Sequence, residues 1–331
     1  MTVRTPLLAF PGAATAVGPP ALLIKPESLQ PTGAFKLRGA YNAISTLLAG
    51  EQQAADPDAR PSGVVAHSSG NHGFAVAYAA ALLGVPAAIV VPDNAAKVKT
   101  DLIGGVGAEI VRVAPTLTAR IEASRRIADD RGYAEIPPFD DRRVIAGQGT
   151  VGLEIAEDLT ADAGARRPAA VLVPVGGGGL VSGIAVAVKA LLPGTRVIGV
   201  EPELAADARE SLHARERIAW AAAETARTKA DALRAEQVGQ VTFPHMQAFV
   251  DDIVAVSEAE LLEAVRRLAL EGRLVAEPGG AVAVAAALFR DPAELGSISP
   301  GSEAPVVAVL SGGNIDPTLL TEILGGPSYT G

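Results

Sequence analysis

Three loops rich in glycine and polar residues follow short β-branched runs, and they carry the groups best suited to chemistry. The first contains four glycines, in "VPVGGGGLVSG" at 173–183. The second is "HSSGNHG" at 67–73, and the third is "LSGGN" at 310–314. Glycine lets the backbone approach a ligand closely, and free N–H groups at a helix start favour an anion. We therefore predict that the first loop binds phosphate, whereas the second either binds a carboxylate or caps a helix.

One lysine, Lys36, stands in "PTGAFKLRGA" between an aromatic residue and a predicted helix of small residues. A lysine desolvated beside Phe35 would have a lowered pKa and could form a Schiff base. The alternative is an exposed lysine near a helix start. The glycine run matches neither G-x-G-x-x-G nor a Walker loop. A phosphate loop without a nucleotide or metal motif suggests a phosphorylated organic cofactor acting on an amino acid, which favours the chemical role.

The elements that must position these groups alternate between short β-branched runs and alanine-rich stretches. This alternation predicts parallel sheets with crossover helices. The predicted strands are 63–67, 86–92, 108–113, 133–136, 169–175, 196–202 and a late one within 303–314. The predicted helices include 73–83, 96–104, 118–130, 180–192 and 259–272. All three loops fall at the carboxyl ends of strands, where ligands bind in such sheets.

The motifs together resemble those of the fold type II pyridoxal-phosphate (PLP) enzymes, in the group of threonine/serine dehydratases and serine racemases. The resemblance spans nearly the whole chain in order: "RTPLL", "KPESLQPTGAFKLRGA", "HSSGNHG", "AGQGT", "VGGGGLVSG", "GVEP", "EPGGA" and "LSGGN". It implies an α/β fold with two open, twisted, mainly parallel sheet domains that have helices on both faces. We expect a large PLP-binding domain of residues 1–50 and 141–331, and a small inserted α/β domain of residues 51–140.

The resemblance also implies roles for matching residues. Lys36 would hold PLP as a Schiff base and, once freed, remove the substrate α-proton as general base. Phe35 would pack near the cofactor ring, and Ser311 would face the pyridine nitrogen. Asn71 would bond the ring hydroxyl. The phosphate would be bound by Gly176, Gly177, Gly178 and Gly179. The substrate carboxylate would be bound by Ser68, Ser69, Gly70, Asn71 and His72.

The implied activity is α,β-elimination of L-threonine or L-serine, which gives 2-oxobutyrate or pyruvate plus ammonia. Ser69 keeps an alternative open, because racemases of the group carry a serine here to protonate the opposite face. It is therefore a second catalytic candidate, and the protein could be a serine racemase or a 3-hydroxyaspartate dehydratase. Ser69 could equally be a simple carboxylate or cap donor. Outside the class, the alternative is a nucleotide-binding oxidoreductase that uses the glycine run.

Some positions depart from the family pattern or leave their role open. Ala34 stands where serine is usual, and Phe74 replaces a common polar residue, so the substrate pocket could differ. Arg120 is interpreted as a solvated helix arginine, although it could meet the substrate side chain.

A cation site is a further possibility. Glu201 and Asp207, with the carbonyl of Ala205, match the spacing of a divalent-cation site in racemase-like relatives. Oxygen ligands suit Mg²⁺ or Ca²⁺. Ordinary surface carboxylates are the alternative.

Composition limits the partners. The 331 residues carry 28 Lys and Arg against 37 Asp and Glu, a net charge of −9, which argues against a nucleic-acid surface. Uncharged stretches at 5–24, 74–92 and 168–188 are broken by proline or glycine, so no membrane span is expected. The chain lacks cysteine, so no disulfide and no thiolate metal site is expected. It ends soon after "LSGGN", so no C-terminal regulatory domain is expected. We expect a cytoplasmic homodimer that acts on a small amino-acid substrate.

Overall fold

The chain forms two sheets, each surrounded by helices. The computed structural model describes residues 2–11, 22–52, 61–95, 97–161, 167–291, 294–295 and 304–329. The strands are β1 (Leu8–Ala9), β2 (Leu22–Pro26), β3 (Gly63–His67), β4 (Ala87–Pro92), β5 (Glu109–Val113), β6 (Tyr133–Glu135), β7 (Ala170–Pro174), β8 (Arg196–Pro202), β9 (Asp252–Val256) and β10 (Val306–Leu310).

The helices follow the strands in the alternation that the sequence predicts. They are α1 (Lys36–Gln52), α2 (Asn71–Leu83), α3 (Lys97–Gly105), α4 (Leu117–Arg131), α5 (Arg142–Thr160), α6 (Gly179–Leu191), α7 (Asp207–Ala214), α8 (Ala222–Thr225), α9 (Thr242–Phe249), α10 (Glu258–Arg267), α11 (Pro278–Phe289) and α12 (Pro317–Gly325). A π-helical turn, Leu268–Gly272, extends α10.

The larger sheet has six strands in the order β1-β2-β10-β7-β8-β9. β1 is antiparallel to β2, and the other neighbouring pairs are parallel. Its central strand β7 is buried throughout, because both faces of the sheet are covered. Leu172 packs in the core that contains residues of α11, while Val171 and Val173 pack in the core that contains residues of α6. This explains the continuous apolar run of the strand.

The smaller sheet has four parallel strands in the order β5-β4-β3-β6. Its faces are also both covered. Val64 and Ala66 of β3 pack with residues of α1 and α2, while Val65 packs with Ala123 and Ile127 of α4. Two mainly parallel sheets with helices on both faces confirm the predicted fold class.

The helix that begins at Lys36 packs closely against α5, and α5 packs closely against α6. A Cβ atom on Gly147 would lie 2.5 Å from the carbonyl oxygen of Arg38, and one on Gly183 would lie 2.3 Å from that of Ile145. Real Cβ atoms do not approach backbone atoms so closely, so these contacts need glycine. The "AGQGT" segment thereby sets the distance between the start of α1 and the glycine run that precedes α6.

The four-stranded sheet lies within the predicted small domain. Leu37 and Val144 pack into the same core, although they belong to α1 and α5 on either side of it in sequence. The domain bounds therefore stay a prediction. Among the described residues, no helix is both long and apolar enough to cross a membrane. Residues 12–21 of the uncharged stretch 5–24 lie outside the described part of the chain.

Candidate active site

Lys36 begins α1 directly after a segment that is tied to the loop following β10. Ala34 forms an isolated bridge with Gly312, and the N–H of Phe35 donates to the carbonyl of Ser311 at 3.0 Å. These contacts join segments almost three hundred residues apart, roughly the whole length of the chain. They bring Lys36 to the carboxyl end of β10, beside Ser311.

The amine of Lys36 is partly buried and bonded to a neutral acceptor. Its Nζ donates to the carbonyl of Pro138 at 2.7 Å and lies 5.1 Å from the ring centroid of Phe35. Burial lowers the pKa of Lys36 from 10.5 to about 8, although the negative charge of Glu277 acts in the opposite direction. Lys36 is therefore more readily neutral than a surface lysine, as Schiff-base and proton-transfer chemistry require.

The glycine run connects the end of β7 to the start of α6. Gly178 is the N-cap of α6 and has a φ of +92°, a conformation that favours glycine. A Cβ on Gly177 would lie 2.3 Å from the ring of Phe139. The backbone can therefore take a path that side chains would block. The free N–H groups at the start of α6 make this turn a fitting phosphate site.

The segment after β6 joins the glycine run to Lys36. Pro138 accepts the hydrogen bond from Lys36, and the next residue, Phe139, packs on the glycine run. Asp140 accepts bonds from the N–H groups of Val241 at 2.7 Å and Thr242 at 3.2 Å. The hydroxyl of Thr242 in turn donates to the carbonyl of Gly177 at 2.7 Å. Sequence analysis missed all of these residues; the acidic "PPFDD" run before α5 was the one available signal.

The serine-containing loop follows β3 and leads into α2. Ser68 and Ser69 are half-buried, and the hydroxyl of Ser68 accepts a bond from the N–H of Gly70 at 3.2 Å. His72 is buried, and its Nε2 lies 2.8 Å from the carbonyl of Ile136. Burial, aided by the charge of Lys36, lowers the pKa of His72 to about 3, so the imidazole is neutral. The groups free to meet a carboxylate are thus backbone N–H groups and serine hydroxyls.

Asn71 and Ser311 are each connected to the neighbourhood of Lys36, Asn71 through Glu277 and Ser311 through Phe35. Asn71 begins α2, and its Nδ2 donates to Oε1 of Glu277 at 2.6 Å. Ser311 is 5% exposed, and its N–H donates to the carbonyl of Gly280 at 3.2 Å. Both side chains border the region around Lys36, which a planar cofactor would have to occupy.

Glu201 and Asp207 form a separate pair of buried acidic groups. Glu201, in β8, accepts bonds from the N–H groups of Ala208 at 3.1 Å and Arg209 at 2.8 Å. Both carboxylate oxygens of Asp207 are buried, and neither makes a hydrogen bond of normal geometry among the described residues, although the nearby backbone N–H groups of Asp207 and Val238 act to lower its pKa. Burial raises the pKa of Asp207 to about 7, and burial together with Asp207 raises that of Glu201. Such a pair would be stabilised by a proton or by a cation.

The structure therefore brings together residues from all three predicted loops. Lys36 contacts the segment that packs on the glycine run. The charge of Glu277 raises the pKa of Lys36, and the charge of Lys36 lowers the pKa of His72. In the acidic pair, Glu201 belongs to β8 and Asp207 begins α7. In the described part of the chain, no three His, Cys, Asp or Glu residues cluster in a way that could hold a metal ion.

Several known proteins are similar to this chain in sequence and in structure. The family described as "Pyridoxal-phosphate dependent enzyme" matches residues 2–312. The L-threonine ammonia-lyase of Thermotoga maritima is 39% identical over 324 residues, covering 97% of this chain and 74% of that protein. The L-threo-3-hydroxyaspartate ammonia-lyase of Saccharomyces cerevisiae is 37% identical over 305 residues, covering 92% and 86%. The solved structure of maize serine racemase aligns with a TM-score of 0.85 at 34% identity, covering 97% of this chain and 91% of that one.

Proposed function

The chain belongs to the family of fold type II pyridoxal-phosphate-dependent enzymes, and on that premise we propose that it is an L-threonine/L-serine ammonia-lyase. It would convert threonine to 2-oxobutyrate and ammonia, and serine to pyruvate and ammonia. The observation that carries this proposal is Lys36, a partly buried amine with a pKa lowered to about 8. Its amine bonds the segment that packs on the glycine run, and its charge acts on His72 of the serine loop. The similarity to the Thermotoga protein supports the choice of reaction.

The residues present fit PLP. Lys36 would bind its aldehyde carbon, the backbone of Gly176 to Gly179 would bind its phosphate, and Ser311 would face its ring nitrogen. The glycine path beside Phe139 leaves no room for side chains there, which suits close approach of a phosphate. When bound, PLP withdraws electrons from the substrate α-carbon and makes its proton removable.

The chain itself would orient the substrate and move the proton. The N–H groups at the start of α2, with the hydroxyls of Ser68 and Ser69, would hold the substrate carboxylate. This leaves the α-proton facing Lys36, whose neutral amine accepts it as general base. The carbonyl of Pro138, which bonds Nζ at 2.7 Å, would then stabilise the resulting ammonium.

A spectroscopic experiment tests the proposal. The purified protein, loaded with PLP and dialysed, should keep a visible absorption band and release 2-oxo acid from threonine or serine. Lys36→Ala should lose both the band and the activity while remaining folded. A loaded wild-type protein without a visible band would refute the assignment of Lys36.

A second candidate function, 3-hydroxyaspartate elimination, is supported by Arg120. The positive charge of Arg120 contributes, after burial, to lowering the pKa of His67, the last residue of β3. A cation is thus close to the strand end that leads directly into the serine loop. It could pair with a second substrate carboxylate, which threonine and serine lack. The similarity to the yeast hydroxyaspartate ammonia-lyase supports the same candidate.

A substrate panel separates the two candidates and the racemase alternative. Threonine, serine, 3-hydroxyaspartate and phenylserine should be scored for 2-oxo acid, ammonia and D-isomer. Arg120→Met should reduce turnover of 3-hydroxyaspartate far more than that of threonine if Arg120 binds the second carboxylate. Ser69→Ala should abolish D-isomer formation if Ser69 protonates the opposite face. Family membership leaves no support for a nucleotide-binding oxidoreductase.

We also propose that Glu201 and Asp207, with the carbonyl of Ala205, bind Mg²⁺ or Ca²⁺. The buried oxygens of Asp207, which make no hydrogen bond of normal geometry among the described residues, support this site, because a hard cation would satisfy them. Wild-type protein should bind one Ca²⁺ in equilibrium dialysis, and Asp207→Asn should not. Equal thermal stability with Ca²⁺ and with a chelator would argue for a shared proton instead.

A homodimer and a cytoplasmic location remain part of the proposal. Light scattering of the purified protein tests the first, and fractionation of the source cells tests the second. The division into residues 51–140 and the rest is tested by limited proteolysis near its two bounds.

A further inference from the structure

Asn71 takes part in a chain of side-chain hydrogen bonds that reaches beyond the groups named above. Nδ2 of Asn314 donates to the carbonyl of Thr32 and to Oδ1 of Asn71, each at 2.8 Å. Nδ2 of Asn71 then donates to Oε1 of Glu277 at 2.6 Å. The chain connects the turn before Lys36, the start of α2 and the N-cap of α11.

The two acceptors at the ends of this hydrogen-bond chain, the carbonyl of Thr32 and the carboxylate of Glu277, determine the direction of every bond in it. The carbonyl of Thr32 can only accept, so the Asn314 atom beside it must be the amide nitrogen. That nitrogen donates to Asn71, so the Asn71 atom facing Asn314 must be Oδ1. The carboxylate of Glu277 accepts at the other end, which requires Nδ2 of Asn71 there. Two independent partners therefore impose the same orientation on the Asn71 amide.

Two glycines make room for these partners. A Cβ on Gly33 would lie 2.2 Å from Oδ1 of Asn314, and one on Gly312 would lie 2.3 Å from Oε1 of Glu277. Gly33 also has a φ of +71°. The backbone on either side of Lys36 is thus shaped to admit the two side chains that hold Asn71.

The hydrogen-bond chain also connects the two sheets. Asn71 begins α2, which packs on the four-stranded sheet, whereas Asn314 follows β10 and Glu277 precedes α11 of the six-stranded sheet. Glu277 is 5% exposed, so its bond to Asn71 is shielded from competing water. Without these partners the Asn71 amide could rotate and present its oxygen instead of its nitrogen.

We propose that Asn314 and Glu277 are positioning residues that hold the Asn71 amide with its second N–H directed to the ring oxygen of PLP. An amide nitrogen carries two protons, and Glu277 uses one of them. The proposal rests on the proposed function, in which Asn71 bonds that ring oxygen. A donor there stabilises the ionised ring oxygen, while the carbonyl oxygen of a rotated amide would repel it.

The test compares Asn314→Asp with Asn314→Ala. An aspartate cannot donate, so it competes with Glu277 for Nδ2 of Asn71 and favours the rotated amide, in which Oδ1 is turned toward the cofactor. Asn314→Asp should weaken PLP binding to the PLP-free protein by about tenfold or more, the effect of turning away one hydrogen bond to a charged oxygen. It should also change the ratio of the visible bands of bound PLP, which depends on the charge of the ring oxygen. In Asn314→Ala the bond to Glu277 still orients the Asn71 amide, so PLP binding should weaken only about two- to threefold.

A double-mutant cycle identifies the route of the effect. Asn314→Asp introduced into an Asn71→Ala background should change neither PLP affinity nor band ratio further, because no amide remains to be turned. An effect of equal size in both backgrounds would overturn the proposal, as would wild-type affinity and spectrum in Asn314→Asp. If Asn314→Asp does not fold, the same cycle with Asn314→Ala decides. A wild-type protein that binds no PLP would refute the proposed function instead.

Discussion

Two lysines eleven residues apart in "KPESLQPTGAFK", Lys25 fully buried and Lys36 partly buried, show how the fold separates a structural cation from the candidate reactive amine. Lys25 is fully buried, and its Nζ donates to the carboxylate of Glu154 at 2.7 Å and to the carbonyl of Thr5 at 2.6 Å. Lys36 donates to the neutral carbonyl of Pro138 instead. A buried cation that is bonded to a carboxylate stays charged, whereas one bonded to a carbonyl is more easily deprotonated.

Arg38 extends the structural cluster to within two residues of Lys36. Its guanidinium donates to both carboxylate oxygens of Glu27 and to both of Glu154, at 2.7 to 2.9 Å. Burial lowers the pKa of Arg38, but the hydrogen bonds that it donates to these carboxylates raise it above the ordinary value. The first turn of α1 therefore carries both a charged anchor, Arg38, and an amine that can lose its proton, Lys36.

The comparison of Lys25 with Lys36 indicates that burial alone does not create a reactive lysine. The cluster of Lys25, Glu27, Arg38 and Glu154 joins β2, α1 and α5, and so fixes the first turn of α1. Because this cluster already fixes the start of α1, Lys36 needs no hydrogen bond to a carboxylate to stay in position.

The largest effect is expected from Lys36→Arg, which keeps a cation but removes the ability to become neutral. Arginine remains protonated and cannot form a Schiff base with an aldehyde. Formation of 2-oxo acid should fall by at least about 10³-fold, the range ascribed to a lost acid–base group. The assay is release of 2-oxo acid from threonine and serine at saturating PLP. Residual activity within tenfold of wild type would show that Lys36 is not the reactive amine.

The next largest effect concerns stability. Lys25→Met removes the structural cation and leaves the carboxylate of Glu154 with one buried partner fewer, so the free energy of unfolding should fall by about 3 kcal/mol. The folded fraction should still show the visible band of bound PLP, because Lys36 is untouched. Chemical denaturation, followed by far-UV circular dichroism, measures the change.

Lys97→Met is the matched control for Lys25→Met. Lys97 forms an exposed pair with Asp101 in α3, so its loss should cost no more than about 0.5 kcal/mol. Equal losses in the two variants would mean that the buried cluster contributes no more than a surface pair.

Sequence reasoning singled out Lys36 as the candidate reactive lysine but not what surrounds it. The strand-end glycines and the aromatic–lysine pair are local patterns, and the family resemblance gave Lys36 its predicted role. Pro138 and Phe139 could not, since a backbone carbonyl acceptor and a ring packed on a glycine depend on the path of a chain a hundred residues away. Asn314 was part of a glycine turn in sequence; its bonds to Thr32 and Asn71 exist only in three dimensions.

The same limit applies to the fold. β7 was predictable because a strand covered on both faces is continuously apolar. β9 was not predicted, because its short "DIVAV" run opens on an acidic residue at the edge of the sheet. The pairing of β2 with β10 is likewise invisible in the sequence, although it places the Lys36 segment beside Ser311.

The smallest effect is a shift in titration, and it tests the cause of the difference between the two lysines. In the PLP-free protein, an amine-directed reagent should label Lys36 with a half-maximal rate at pH about 8, against 10.5 for an ordinary lysine. Over that interval the unfolded chain holds a proton that folded Lys36 has lost. The stability of the PLP-free protein should therefore rise with pH across this window, relative to Lys36→Met.

Glu277→Gln sharpens this measurement, because it removes the one negative charge that raises the pKa of Lys36 while burial is unchanged. The labelling midpoint should move to still lower pH. The glutamine Oε1 can still accept from Asn71, so the amide need not turn and the charge alone is tested. Quantifying the labelled Lys36 peptide by mass spectrometry gives both midpoints. A midpoint that rises, or that equals that of an exposed lysine in wild type, would mean that burial does not set the pKa of Lys36.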